Sequence, residues 1–350
     1  MVLRLVVAVF LIVCAPVSAH ASVQAPLRLH AWVGYFPAWL LDGFTAETGI
    51  SVVQSFFADN KALYRSITEE GSLRRFDVIT PSAEMVQQLA SEGLLVPLDR
   101  KSMPNAAGVD TWFQELGYDL GGKYSVPLFW GVVGMVIDKK VLPESVALRI
   151  KGYKDLWLPE LKGLILLPND FRSLMSIMLL YLGYSVNDRT PEHLEDAMAA
   201  LESLAPSVRT FDTVDQDESM AKRNTGVGVV WAKEQYACDD VKKRYQFIFP
   251  AEGSPAWIDT LAVPVTSASP ETAFRFINYV MRTDVLARLG EETGYALTVP
   301  AAQALLPKPL RDNTVVYPPL ELRRSFEPEL MLPAFTESLE KRWNKRKIAF

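Results

Sequence analysis

The hydrophobic positions of the chain change repeatedly from the spacing of a strand to the spacing of a helix. Short apolar runs stand at 27–32 (LRLHAW), 51–57 (SVVQSFF) and 76–81 (FDVITP). They predict strands. The stretches between them repeat their apolar residues at helical spacing, as Trp39, Leu40 and Phe44 do, and predict helices of ten or more residues. This alternation favours an α/β fold built on a sheet.

Several element boundaries can be predicted from single residues. Pro37 suits the first turn of a helix that ends before Gly49, and Asn60 is expected to cap the next helix. Residues 270–290 predict one long helix. Residues 124–138 predict two extended segments that meet near Gly131.

Two α/β runs without a disordered linker predict two lobes, and the chain is expected to cross between them more than once. The extended stretches near Gly131 and Asp259 each lead from one run into the other. We therefore expect residues 22–131 plus 259–310 to form lobe 1, and residues 132–258 plus 311–350 to form lobe 2.

The N-terminal residues 1–21 predict a secretory signal peptide. A basic start is followed by a short apolar run and by small residues at Ala19 and Ala21, near which cleavage is expected. A lipid anchor at Cys14 is not favoured, because Val13 directly before it fits such a site badly. The mature protein is thus expected in the periplasm, with Cys238 as a free thiol.

Composition limits the function. Of 350 residues, 49% are hydrophobic, so the chain can bury a sizeable core. The net charge is −5 without a long basic run, which argues against a nucleic-acid partner on electrostatic grounds, and none is expected. With three histidines and two cysteines there is little material for a metal site or a nucleophilic triad.

Aromatic and polar residues gather where the predicted strands end. Ligands of open α/β sheets bind outside the carboxyl ends of strands, so these positions can converge on one crevice. Trp257 and Asp259 stand two apart in a predicted strand and therefore share a face. Rings and carboxylates together suit an elongated organic cation. The other candidates of this kind are Trp32, Tyr35, Ser82, Glu84, Asp170, Trp231, Glu234 and Tyr295.

The chain resembles the bacterial periplasmic spermidine/putrescine-binding proteins, the solute receptors of polyamine ABC importers. The resemblance rests on FDVITPS, YSVPLFWG, KDLWLPELKGLILLPND, GVVWAKE, WIDTLAVP and EETGYALTVPAAQALL, in this order. It covers essentially the whole mature chain. It implies a two-lobed solute-binding fold with interlobe crossover strands that closes on its ligand. It also implies no catalysis and no cofactor.

The resemblance also implies roles for single residues. Trp32, Tyr35, Trp231, Trp257 and Tyr295 match an aromatic box, and Ser82 matches a pocket hydroxyl. Asp170 and Asp259 match carboxylates that hold ligand amines, Glu234 matches an acid of putrescine-type members, and Glu327 falls at a polar pocket position.

Three positions depart from the family pattern. Members often carry an acid where this chain has Gly34, an aromatic residue where it has Glu84, and in some cases an acid where it has Ser173. Which polyamine fits, or whether a different cation does, stays open.

Other interpretations of these residues and of the function also stay open. Asp170 suits the N-cap of the following helix, Trp231 and Trp257 suit a core, and Glu84 suits a solvated helix start. The protein is expected to be a monomer that delivers a polyamine to an inner-membrane ABC permease. The alternative is a periplasmic sensor that docks on a membrane signalling receptor, and an extracellular hydrolase is disfavoured.

Overall fold

The structure is a computed structural model that describes residues 25–69, 76–213, 215–232 and 239–347. The predicted signal peptide, Cys14, Glu234 and Cys238 lie outside these ranges, so the statements about them stay predictions.

Eleven strands are present in the described ranges. They are β1 Leu27–Trp32, β2 Val52–Phe57, β3 Val78–Ile79, β4 Ser125–Asp138, β5 Ile165–Leu167, β6 Val208–Phe211, β7 Val227–Trp231, β8 Tyr245–Ile248, β9 Ser254–Ala262, β10 Ala296–Leu297 and β11 Phe326–Pro328.

Fourteen α-helices accompany them within the same ranges. They are α1 Ala38–Thr48, α2 Asn60–Thr68, α3 Ala83–Ser91, α4 Thr111–Gln114, α5 Glu144–Ala147, α6 Phe171–Tyr181, α7 Pro191–Leu204, α8 Gln216–Arg223, α9 Asp239–Arg244, α10 Pro270–Val280, α11 Thr283–Thr293, α12 Pro300–Gln303, α13 Lys308–Arg311 and α14 Thr336–Lys347. In the described part of the chain, none of these helices is both long and apolar enough to cross a membrane.

The strands join in the order β2-β1-β3-β9-β4-β7-β5-β6, with β10 and β8 paired to β4 and β11 paired to β9. Parallel pairs such as β1 with β2 and β5 with β7 lie toward the two ends of this order. The middle pairs, β9 with β4 and β4 with β7, are antiparallel. The predicted α/β fold is confirmed.

Strand β4 runs through the middle of the sheet as one element. The sequence predicted two extended segments that meet near Gly131, but the structure has a single strand of 14 residues, all of them buried. Its partners change instead: residues up to Val132 pair with β9, and residues from Val133 onward pair with β7 and β8. Gly131 does not end the strand, contrary to the prediction; a glycine within a strand also allows close approach, and here it leaves room for the Trp257 indole.

Two large hydrophobic clusters lie on either side of this change of partner. The first core includes Leu29, Leu40, Phe129, Leu261 and Phe276, and the second includes Ile137, Ile177, Leu201, Val229 and Trp343. Of three residues that the sequence assigned to lobe 2, Ile258 and Phe326 belong to the first core and Leu339 belongs to the second. The boundaries of the two lobes stay a prediction.

The helix ends confirm some boundary predictions and correct others. Gly49 ends α1 with a φ of 74°, the left-handed conformation that favours glycine. The cap of α2 is Asp59 rather than Asn60, because the Asp59 carboxylate accepts a hydrogen bond from Ala62 N at 2.7 Å. The single helix predicted for 270–290 is two helices, because Arg282 takes an extended conformation between them.

Candidate functional site

Strand β9 carries Trp257 and Asp259 on the face that the sequence predicted for both. Trp257 pairs with Gly131 of β4, and Asp259 pairs with Phe129. Directly opposed residues of an antiparallel pair lie on the same side of the sheet. The indole of Trp257 lies so close to Gly131 that a Cβ atom at that position would overlap the ring. A glycine opposite Trp257 therefore gives the indole its place on the sheet.

Asp259 lies at the centre of a group of aromatic side chains. It is 7% exposed, and the hydroxyl of Tyr35 donates a hydrogen bond to its carboxylate. The ring of Tyr295 is 5.4 Å from that of Tyr35 and 5.8 Å from that of Trp257, measured between centroids. We call Tyr35, Trp257, Asp259 and Tyr295 the aromatic–carboxylate group.

The electrostatics of this group favour a neutral Asp259 while no cation is near. Burial raises the pKa of Asp259 to about 7, against the opposing effects of the Tyr35 hydroxyl and the Trp32 indole. Burial and the neighbouring Asp259 in turn raise the pKa of Tyr35. Trp32 lies close enough to favour the carboxylate, but its Nε1 makes no hydrogen bond of normal geometry. The carboxylate thus lacks a full counter-charge.

Trp231 lies on β7, which pairs with β4 on the side opposite β9, and it shares a face of the sheet with Trp257. It pairs with Val133, which lies two residues beyond Gly131 on the same strand. Residues two apart on a strand share a face, so the register places Trp231 and Trp257 on one side of β4. The backbone N–H of Trp231 is held by Gln216 Oε1 at 3.1 Å.

Ser82 and Glu84 flank this group at the start of α3. Ser82 forms an isolated bridge with Asp259, which brings the start of α3 beside β9. Asn60 Nδ2, at the start of α2, donates to Ser82 Oγ at 2.6 Å and to Glu84 Oε1 at 3.0 Å. The Glu84 side chain is 27% exposed. Glu84 is therefore only partly exposed to water, whereas the alternative interpretation placed its side chain in open solvent.

A second set of charges lies opposite Glu84. The Arg172 guanidinium, on α6, is 3.8 Å from a Glu84 oxygen and 4.0 Å from a Glu329 oxygen, and its side chain is 10% exposed. Asp170 caps α6 by accepting from Ser173 N at 2.9 Å, as one interpretation of the sequence expected. We call Glu84, Asp170, Arg172 and Glu329 the acidic cluster.

The acidic cluster carries more negative than positive charge. Burial and the neighbouring Glu329 raise the pKa of Glu84 to about 7, although Arg172 and Asn60 lower it. Burial, with Asp170, also raises the pKa of Glu329, against Arg172 and the hydroxyls of Ser176 and Ser173. Two carboxyl groups, those of Glu84 and Glu329, share one guanidinium, which itself donates to Leu330 O, Ser176 Oγ and Asn187 Oδ1.

These residues lie where the elements of the two cores meet. Glu84 belongs to α3 of the first core, whereas Arg172 belongs to α6 of the second. Two other contacts join the same sides: Met331 N donates to Gln87 Oε1 at 3.0 Å, and Lys61 forms an ion pair with Glu340 at 2.5 Å. The candidate site thus lies between the two cores.

Glu327 lies apart from the residues that surround Arg172. It lies on β11, where it pairs with Pro255 of β9, and its carboxylate accepts a hydrogen bond from Ser185. Two residues further on, Glu329 joins the acidic cluster instead. Glu329 and Arg172 were missed in the sequence, and so was the contact role of Asn60. Asn60 follows the strand predicted at 51–57, and residues after strands often bind ligands in α/β proteins. The sequence analysis interpreted Asn60 only as a helix cap.

Other kinds of site are not visible around these residues. A cavity of about 280 Å³ lies elsewhere, lined by Leu27, Arg28, Asp77 and Thr272 among others. None of the predicted site residues lines it. Within the described ranges, no group of three histidine, cysteine, aspartate or glutamate residues is placed to hold a metal ion.

Comparisons with known proteins agree on one family. The family model for bacterial extracellular solute-binding proteins matches residues 39–314. The spermidine/putrescine-binding periplasmic protein of Escherichia coli K12 is 28% identical over 94% of this chain and 94% of its own length. Spermidine/putrescine-binding periplasmic protein 1 of Haemophilus influenzae is 30% identical over 88% of this chain and 85% of its own.

Solved structures lead to the same conclusion. The substrate-binding protein PotD of a spermidine/putrescine ABC transporter from Streptococcus pneumoniae superposes with a TM-score of 0.80, at 28% identity, over 93% of this chain and 99% of that one. A putative spermidine/putrescine ABC transporter protein from Listeria monocytogenes gives a TM-score of 0.79 at 29% identity, over 93% and 98%. The chain described here therefore belongs to the bacterial extracellular solute-binding proteins.

Proposed function

We propose that this protein binds a polyamine between its two cores and delivers it to an inner-membrane ABC importer. The observation that carries the proposal is Asp259, a carboxylate without a full counter-charge among the rings of Tyr35, Trp257 and Tyr295. An ammonium ion would supply the missing charge, and the rings would cover the methylene chain of the ligand.

The energies suit a tight complex. Each charge-assisted hydrogen bond to Asp259 contributes about 1.5–3 kcal/mol, and each ring that faces a cation contributes about 0.5–2 kcal/mol. Closing the cleft around the ligand removes water, which strengthens these interactions. Closure also avoids leaving the carboxylate buried without a partner, which is the costly alternative.

The acidic cluster supports a ligand with more than one positive charge. Glu84, Asp170 and Glu329 stand with a single guanidinium, and a bound ammonium group would favour the charged forms of Glu84 and Glu329, whose pKa values burial raises. A linear diamine or triamine has ammonium groups separated by methylene chains, so it can bring one charge to Asp259 and another to this cluster. A monoamine can satisfy only one of the two.

Two further features extend the proposal. The relatives named above are periplasmic binding proteins, and a solved neighbour is the substrate-binding protein of an ABC transporter. These names favour delivery to an importer over docking on a signalling receptor. We also propose that the protein acts as a monomer in the periplasm, after cleavage near Ala19 or Ala21, and that it catalyses no reaction.

A fluorescence titration tests the proposal. Three tryptophans, Trp32, Trp231 and Trp257, belong to the proposed site, so ligand binding should change the intrinsic emission. The purified mature protein would be titrated with putrescine, spermidine, spermine and norspermidine, with 1,4-butanediol as an uncharged control. We expect a saturable change with at least one amine and none with the diol. No saturable change with any of the four amines would overturn the proposal.

A further inference from the structure

The carbonyl oxygen of the Asn60 side chain is buried beside the proposed site without a hydrogen-bond donor. Asn60 Oδ1 has no partner among the described residues, and water does not reach it. A buried acceptor without a donor costs about 1–3 kcal/mol. Such an atom calls for an explanation, and a bound group is one of the usual ones.

The direction of this oxygen is fixed by the other end of the same amide. Asn60 Nδ2 donates to Ser82 Oγ and to Glu84 Oε1. A carboxylate only accepts hydrogen bonds, so the nitrogen must be the atom that faces Glu84. The oxygen therefore points away from these two partners and remains available to a donor.

The surroundings of Asn60 belong to the space between the two cores. Its partner Ser82 bridges to Asp259, and its partner Glu84 approaches Arg172 of the second core at 3.8 Å. Asn60 thus stands between the aromatic–carboxylate group and the acidic cluster. Its helix does not need it as a cap, since Asp59 makes that hydrogen bond.

We propose that Asn60 contacts the ligand directly, with Oδ1 accepting a hydrogen bond from an ammonium group whose charge is balanced by Glu84. This inference rests on the proposed function. An ammonium group carries N–H donors only, which suits both the neutral Asn60 oxygen and the carboxylate beside it. Asn60 then has two tasks: its nitrogen holds Glu84 and Ser82 in position, and its oxygen binds the ligand.

The competing occupant is a structural water. An ordered water can satisfy a buried carbonyl oxygen in a polar site of sufficient size. In that case, removal of the Asn60 amide would change stability but not the affinity for the amine. The two occupants therefore predict different results for the same variant.

The test compares neighbouring variants at the start of α2. Asn60→Ala removes the proposed contact, and Asp59→Ala removes the helix cap. Calorimetric titration with the best-binding polyamine should show a loss of affinity of about ten- to a hundredfold for Asn60→Ala. Asp59→Ala should lower the melting temperature and leave the affinity within about twofold of the parent. If Asn60→Ala does not fold, Asn60→Ser takes its place, because serine suits a helix start.

A double-mutant cycle tests whether Asn60 and Glu84 act together on the ligand, since both their direct hydrogen bond and a shared ammonium would couple them. If Asn60 and Glu84 hold the same group, the losses from Asn60→Ala and Glu84→Gln should not add in the double variant. Unchanged affinity in Asn60→Ala, an equal loss in Asp59→Ala, or fully additive losses would each overturn the inference while polyamine binding by the parent still stood. Failure of the parent protein itself to bind any amine would overturn the proposed function and the inference together.

Discussion

Asp259 is the residue whose charge state links structure to function. An acid that is 7% exposed is unfavourable as a carboxylate unless a positive charge is close. The Tyr35 hydroxyl and the Trp32 indole offset only part of this cost, so the pKa of Asp259 stands at about 7, above its ordinary value of 3.8. A bound ammonium ion would favour the charged form and lower the pKa again.

Affinity for a polyamine should therefore depend on pH. Below the raised pKa, binding must first remove a proton from Asp259, so affinity should fall as the pH decreases from about 7.5 to 5.5. One such acid costs up to about tenfold per pH unit. Glu84, with its pKa also raised to about 7, should steepen the dependence. Calorimetry at several pH values would measure it.

The variant Asp259→Asn is the control for this pH effect. It cannot ionise, so its remaining affinity should vary less with pH than that of the parent. An affinity that is flat from pH 5.5 to 7.5 in the parent would contradict the raised pKa of Asp259 in the empty site.

Trp257 should contribute less to binding than Asp259. A ring that faces a cation is worth about 0.5–2 kcal/mol, and Tyr35 and Tyr295 would remain in Trp257→Leu. We expect Trp257→Leu to weaken binding by about two- to thirtyfold, measured by calorimetry. A larger loss than that of Asp259→Asn would mean that burial of the methylene chain, and not the charge, dominates recognition.

At the scale of single residues, the sequence predicts some of the site residues and misses others. The shared face of Trp257 and Asp259 follows from the period of a strand, so local reasoning is sufficient for it. Glu329 could not be found in this way, because its neighbours Arg172 and Ser176 are more than 150 positions away in the chain. Two adjacent residues, Asp59 and Asn60, both suit a helix cap, and only the structure shows which one makes the hydrogen bond.

At the scale of elements, strands β4 and β9 hold the site together. Their pairing places Gly131 against the Trp257 indole, and a Cβ atom there would overlap the ring. The change of partner along β4 follows directly after this contact, between Val132 and Val133. The position of the indole therefore depends on a backbone feature of the neighbouring strand.

We expect Gly131→Ala to displace the indole and weaken polyamine binding by about tenfold, since part of the ring contact and the packing around Asp259 would be lost. Gly43→Ala on α1 is the matched control, because its Cβ atom would overlap the hydroxyl of Tyr279 on α10, away from the site. Both variants should melt at a lower temperature than the parent, but only Gly131→Ala should lose affinity in a fluorescence titration. Equal affinity in the two variants would refute the role of Gly131.

The prediction of elements from sequence was most successful where chemistry is local. The left-handed Gly49 and the alternation of strands and helices were both predictable. The break between α10 and α11 was not, because the hydrophobic positions continue through it and only the extended Arg282 interrupts the helix. Strand β4 was not recognised as one strand because Gly131 suggested a break in the chain. The structure changes the partners of β4 near this point, not the strand itself.

At the scale of the whole molecule, two cores face each other across the site. Contacts such as Lys61 with Glu340 and Gln87 with Met331 join them. Lys61 is 69% exposed in its ion pair with Glu340, and a surface pair of this kind contributes little. Burial raises the pKa of Asp259 from 3.8 to about 7, so a closed empty form becomes less favourable as the pH rises from 3.8 toward about 7, and at higher pH it carries the full cost of a buried charge.

We therefore expect the empty protein to be more open than the complex. Small-angle X-ray scattering at about pH 8 should show a radius of gyration that decreases when a saturating polyamine is added, as in other hinged binding proteins. The uncharged diol should leave it unchanged. An identical radius with and without ligand would contradict closure.

The measurement that tests the central claim most directly is calorimetry of the parent protein and Asp259→Asn with the best-binding polyamine. The substitution keeps the shape of the side chain and removes its charge, so the account predicts a loss of about 1.5–3 kcal/mol, or roughly ten- to a hundredfold. Both proteins should remain folded, since the residue lines a cleft. If Asp259→Asn binds as tightly as the parent, Asp259 is a structural acid and the cation is bound somewhere else.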